Sequence, residues 1–75
     1  MQADRSLDCR GMACPMPIVK LSKAIKEMSQ GQILAVSADD PGFEADVRAW
    51  CETTGNQLKA LESEGEIRTA YIAKS

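Results

Sequence analysis

Cys14 stands directly before Pro15, Met16 and Pro17, and this run holds the residues best suited to covalent chemistry. Proline fits the first turn of a helix, where amides have no intrahelical partner. With Cys14 as the N-cap, Pro15, Met16 and Pro17 take the first three helical positions. Neither proline has an N–H, so the amides of Cys14 and Met16 remain as donors. The positive end of the helix and the Met16 amide then favour a sulfur anion at Cys14. Arg10, just upstream, adds a positive charge. A thiolate is the reactive form of cysteine, and thiols at helix starts ionise more easily than usual. The expectation is therefore an acidic, reactive Cys14. The bland alternative stays open, because proline is common at helix starts and a cysteine before it can be a mere cap.

Composition narrows the chemistry further. The chain has three cysteines, Cys9, Cys14 and Cys51, and no histidine. An odd cysteine count does not resemble a disulfide framework. Without histidine there is no Cys-His dyad, no Ser-His-Asp triad and no histidine-ligated metal. Asp39 and Asp40 are adjacent, but helix capping accounts for Asp40 and no companion oxygen ligands for a hard metal are evident. Net charge is −2, without the basic excess of a nucleic-acid binder. Phe43, Trp50 and Tyr71 are too few for a base-stacking platform. No apolar run approaches membrane-spanning length, and the first residues lack a signal-peptide core, so the expected location is cytoplasmic.

The elements that must position the cysteine follow from periodicity. At 75 residues the chain is read as a single domain, 1–75. A domain this size buries roughly 60% of its unfolded-chain surface, which leaves little for a deep cavity. A strand is expected over Arg5–Cys9, with Leu7 and Cys9 on one face. A helix is expected from about Pro15 to Ser29, with Ile18, Leu21, Ile25 and Met28 as its apolar stripe and Gly31 beyond its end. Lys20, Lys23 and Lys26 lie off that stripe; they form a solvated face or guide an acidic partner surface.

Gln32–Ala38 reads as a central strand covered by helices, because Ile33-Leu34-Ala35-Val36 is continuously apolar. A second helix is expected from about Pro41 to Thr54, capped by Asp40, with Phe43, Val47, Trp50 and Cys51 on one face. Glu44, Arg48 and Glu52 form an i, i+4 ladder on another face. Strands Gln57–Ser63 and Ile67–Ala73 follow, joined by a turn at Glu64-Gly65-Glu66. In the last strand Ile67, Thr69 and Tyr71 share one face and Arg68, Ala70 and Ile72 the other, and the pattern does not say which is buried. The fold class is α+β: a two-layer sandwich of βαβαββ order, a four-stranded mixed sheet with both helices on one face.

The segment Leu7-Asp8-Cys9-Arg10-Gly11-Met12-Ala13-Cys14-Pro15-Met16-Pro17 resembles the TusA family of small sulfur carriers, also called SirA-like. Asp39-Asp40-Pro41 and Trp50-Cys51…Thr54-Gly55 look like later segments of that family, in order and at the same spacing. The resemblance implies that Cys14 is the active cysteine, with Pro15, Met16 and Pro17 supporting it. It would accept sulfane sulfur as a persulfide from a cysteine desulfurase or rhodanese and pass it to an acceptor protein. Family destinations include tRNA thiolation, molybdenum cofactor assembly and sulfur oxidation.

Such a protein is a transfer partner rather than a stand-alone catalyst, and a monomer suits it. It needs no cofactor and no metal, only an accessible sulfur. It contacts neither nucleic acid nor membrane directly. Met12, Ala13 and Met16 would either surround the thiol with adaptable apolar groups or simply pack. Cys9 is a small buried hydrophobe or a resolving thiol for Cys14. In the second case the chain is a redox switch or regulatory binding module. Cys51 is expected in the core.

Overall fold

A computed structural model describes residues 2–75. The elements run β1 (Arg5–Asp8), α1 (Met16–Lys26), β2 (Ile33–Ala38), α2 (Phe43–Thr54), β3 (Gln57–Glu64) and β4 (Ile67–Ala73). This is the expected βαβαββ order, in a four-stranded mixed sheet of spatial order β1-β2-β4-β3. β1 and β2 are parallel, with Leu7 opposite Val36. β2 and β4 are antiparallel, as are β3 and β4. The last strand therefore inserts at the centre, between β2 and β3.

Cross-strand register decides the buried face. Leu34 pairs with Ile72 and Val36 with Ala70, and all four are fully buried against the helices. Arg68, Ala70 and Ile72 therefore line the inner face of β4, and Thr69 and Tyr71 the outer. On the outer face the hydroxyls of Ser37 and Thr69 lie 3.0 Å apart, and Tyr71 donates to Glu62 Oε1 at 3.3 Å. β2 is central, as its apolar run suggested, yet helices cover only one of its faces.

β3 departs from strict alternation. An irregularity between Leu58 and Ala60 lets Leu58 oppose Ile72 and Leu61 oppose Ala70, although they lie three residues apart. Both leucines pack on the core. A β-bulge has this effect: one extra residue changes the phase of the strand.

Both helices lay their apolar stripes on the sheet. α1 buries Pro17, Leu21, Ala24 and Ile25, and α2 buries Phe43, Val47 and Cys51. Ile18 and Trp50 are half-buried at the margin, and Met28, just past α1, is buried. α1 ends at Lys26 rather than Ser29, with Glu27 as its C-cap. Lys74 explains this early stop: its Nζ donates to the Met28 carbonyl at 2.7 Å and lies 3.4 Å from that of Lys26. A cation there satisfies carbonyls the helix cannot and complements its negative end. Lys74→Ala should lower unfolding free energy by about 0.5 kcal/mol in urea denaturation, and an unchanged midpoint would remove Lys74 from this role.

α2 begins at Phe43, two residues later than expected. Gly42, not Asp40, is its N-cap. Asp40 still organises the entry. Its Oδ2 accepts from the Gly42 amide at 3.0 Å and its carbonyl accepts from the Phe43 amide at 3.0 Å. At the far end Gly55 adopts φ +82 and its amide donates to the Cys51 carbonyl at 2.9 Å. That left-handed position suits glycine, which has no Cβ to clash.

Candidate functional site

The site lies where the β1–α1 loop meets the start of α2. Pairing with β2 continues one residue past β1, because the Cys9 amide donates to the Ser37 carbonyl at 2.7 Å. Cys9 is thereby fixed in the core, with no exposed surface. Gly11 then turns the chain with φ +81, and its amide donates to Asp39 Oδ1 at 3.0 Å. Few residues other than glycine adopt that conformation. The contact ties the cysteine loop to the segment leading into α2.

Cys14 follows, exposed and with a free thiol. It is not the N-cap. That position belongs to Pro15, so Met16 and Pro17 are the first two helical residues. Cys14 sits one residue outside the helix, preceding a cis peptide bond to Pro15. The Met16 amide donates to the Ala13 carbonyl at 3.0 Å and is not offered to the sulfur. Pro17 is buried in the core, so one proline anchors the turn that the other begins. Met16 and Ala13 are exposed beside the thiol, whereas Met12 is half-buried against the core.

Arg10 does not face the sulfur either. Its Nε and Nη2 donate to the two oxygens of Asp8 at 2.9 and 2.8 Å, and its amide adds a third bond to Asp8 at 3.0 Å. These bonds hold the Asp8 carboxyl down at about 2, below its usual 3.8. The stability this contributes is complete above the ordinary carboxylate value and is lost as pH falls through about 2. Arg10→Ala should raise the Asp8 midpoint part of the way toward the ordinary carboxylate value in an NMR titration, because the amide of residue 10 still donates to it. A midpoint that stayed near 2 would assign the effect elsewhere.

What faces Cys14 is a carboxylate. Its Sγ donates to Asp46 Oδ2 at 2.7 Å, across from the first turn of α2. That hydrogen bond pushes the thiol above its ordinary value, with desolvation and the nearby charges of Asp46 and Asp40 acting in the same sense. The direction is opposite to that expected from the helix start. A full charge in contact with the sulfur outweighs a helix end carrying about half a charge, whose nearest amide is already engaged. No feature of the local motif could have announced Asp46, because it is distant in sequence and only the packing of α2 beside the loop places it there.

The remaining cysteines are removed from the surface. Cys9 and Cys51 are buried, free, and pushed up by burial. Among the described residues, no group of Cys, Asp and Glu side chains is arranged to hold a metal ion. Lys20 and Lys23 are exposed and line a shallow groove with Leu7, Met16 and Val19 between β1 and α1. Lys26 is exposed one turn further on.

Residues 5–74 match the family model described as sulfurtransferase TusA. The chain belongs to the TusA family. The sulfur carrier protein TusA of Allochromatium vinosum is 44% identical over 96% of this chain and 95% of its own length. YrkI of Bacillus subtilis is 45% identical over 99% of each. Other relatives, named as sulfur carrier proteins, are longer. The chain spans 40% of the length of YrkF of Bacillus subtilis, at 43% identity over 99% of this chain. It spans 38% of an Aquifex aeolicus relative, at 41% identity over the whole of this chain. The crystal structure of a SirA-like protein from Desulfitobacterium hafniense superposes with a TM-score of 0.81. That match covers 92% of this chain and 95% of the other; at 24% identity it supports the TusA fold. No helix among the described residues is long and apolar enough to cross a membrane.

Proposed function

We propose that this chain is a sulfur carrier that holds sulfane sulfur as a persulfide on Cys14. The observation that carries this reading is the position of the sulfur. Of three free thiols, Cys14 alone is exposed, on the loop between β1 and α1. Family membership and a relative named as a sulfur carrier point the same way.

The chemistry needs only thiol exchange. The Cys14 thiolate attacks the outer sulfur of a donor persulfide. A new S–S bond forms at Cys14 as the donor's own S–S bond breaks, and the donor cysteine leaves as a thiolate. The proton released by Cys14 is balanced by the one the donor thiolate takes up. The loaded Cys14 then offers its outer sulfur to an acceptor nucleophile by the same exchange, and no external oxidant or reductant enters. Pro15 and Pro17 hold the loop that presents the thiol, and exposed Met16 gives an approaching protein an adaptable apolar contact.

The donor is a cysteine desulfurase or a rhodanese, and the acceptor is a protein of tRNA thiolation, molybdenum cofactor assembly or sulfur oxidation. Both meet a cytoplasmic monomer, with Lys20, Lys23 and Lys26 available to acidic partner surfaces. Incubation with a cysteine desulfurase and cysteine, followed by tryptic peptide mapping, tests the reading. Cleavage at Arg10 separates Cys9 from Cys14. A gain of one sulfur atom on the Cys14 peptide, removed by a reductant, is expected. Its absence, or its appearance on the Cys9 or Cys51 peptide instead, would refute the proposal.

A further inference from the structure

We propose that Asp46 is the specificity-determining residue of this site: it retains the Cys14 proton in the free protein, and a cationic group on a partner releases that proton by engaging the Asp46 carboxylate. The inference deepens the sulfur-carrier reading and rests on Cys14 being the working thiol.

The first support is geometric. Cys14 Sγ and Asp46 Oδ2 are 2.7 Å apart, on separate elements. Asp46 lies in the first turn of α2, whose buried Phe43 and Val47 fix its position on the sheet. The second support is the sign of the surroundings. Asp40 Oδ2 and Asp46 Oδ2 flank Gly42, 3.2 and 3.7 Å from where a Cβ would stand. A Cβ at position 42 would press on Asp40 and only touch Asp46, which places both carboxylates at this turn beside the loop.

The charged groups bordering the thiol come from each neighbouring element. Asp46 belongs to α2, and Asp39 and Asp40 to the segment before it. At the end of β1, Asp8 and Arg10 pair with each other at 2.8 Å. Asp39 is committed to the Gly11 amide at 3.0 Å. Lys20 on α1 acts on Cys9, and among the described residues the charges acting on Cys14 are the carboxylates of Asp46 and Asp40. Among the described residues, the charges that face the thiol are thus carboxylates.

The consequence is selective. A thiolate forming at Cys14 would lie against the Asp46 charge, so exchange is held back while the protein is free. A partner lysine or arginine that pairs with Asp46 cancels the repulsion and adds a favourable charge beside the sulfur. Acidic or neutral surfaces docking at the same loop leave the proton in place. The electrostatic match that guides the partner therefore also switches on its chemistry.

The test compares wild type with Asp46→Asn, which keeps the shape of the side chain, and with Asp46→Ser. Circular dichroism first verifies that each variant is folded. Iodoacetamide alkylation of Cys14, followed by mass spectrometry across pH, gives the midpoint at which the thiol ionises. Both variants should shift this midpoint down, because the hydrogen bond and the charge of Asp46 are removed. The neutral-pH rate should rise about threefold, less than the gain in thiolate because a weaker base is a poorer nucleophile.

Paired cationic and anionic methanethiosulfonate reagents then read the local field. Wild type should favour the cationic reagent, and the preference should fall several-fold in Asp46→Asn and in 1 M salt. A midpoint that stays or rises, or an unchanged reagent preference, would overturn the inference. Alkylation does not require sulfur loading, so this outcome is independent of whether Cys14 carries a persulfide.

Discussion

Cys14→Ser should lose the sulfur adduct completely in whole-protein mass spectrometry after incubation with a cysteine desulfurase and cysteine. Serine matches the size and polarity of the site, but its hydroxyl does not ionise near neutral pH and does not undergo thiol exchange. Nor can the other cysteines compensate. Cys9 has no exposed surface and Cys51 is 6% exposed, so a donor protein cannot bring its persulfide to either sulfur. Both thiols are also held above their ordinary values by burial, which lowers the fraction present as thiolate. The fold should persist, because Cys14 is exposed and its one recorded side-chain bond is to Asp46. Retention of the adduct in Cys14→Ser, with the melting transition intact, would dismiss the assignment.

Phe43→Ala should cost about 3–5 kcal/mol of unfolding free energy, the usual range for emptying a buried phenylalanine site. Phe43 is 1% exposed and is the first residue of α2. Its removal leaves a cavity in a domain too small to have much core in reserve. Total stability of small domains is about 5–15 kcal/mol, so the loss would leave the chain close to unfolding at ambient temperature. Phe43 also sets the start of the helix that carries Asp46 to Cys14, so the variant should loosen the site as it loosens the core. Denaturant titration measures the effect, with Phe43→Leu retaining most of the stability. A loss under about 1 kcal/mol for Phe43→Ala would show that the core closes over the gap, contrary to the usual cavity cost.

Much of the fold was legible because periodicity reports burial directly. Leu21, Ile25 and Met28 repeat at helical spacing and are buried, and Phe43, Val47 and Cys51 do the same in α2. β4 has its expected limits of Ile67 and Ala73. Termini were less legible, because competing partners decide them. Lys74, from the far end of the chain, shapes where α1 stops, and Asp40 binds the Gly42 amide instead of capping the helix itself. Leu58 and Leu61 lie three apart in a strand, and alternation alone would place them on opposite faces until the bulge brings both inward.

At the site the division is sharper. The run Cys14-Pro15-Met16-Pro17 was sufficient to single out one thiol next to a helix start, since residue type and proline geometry are local properties. The run alone could not set that thiol's electrostatics. Local order suggested a helical amide and Arg10 as its neighbours, whereas folding committed the amide to Ala13 and the guanidinium to Asp8. In their place it brought Asp46, 32 residues away, to 2.7 Å from the sulfur. Charge interactions act through space and depend on which elements pack together, so which charge meets Cys14 was decided by the tertiary structure.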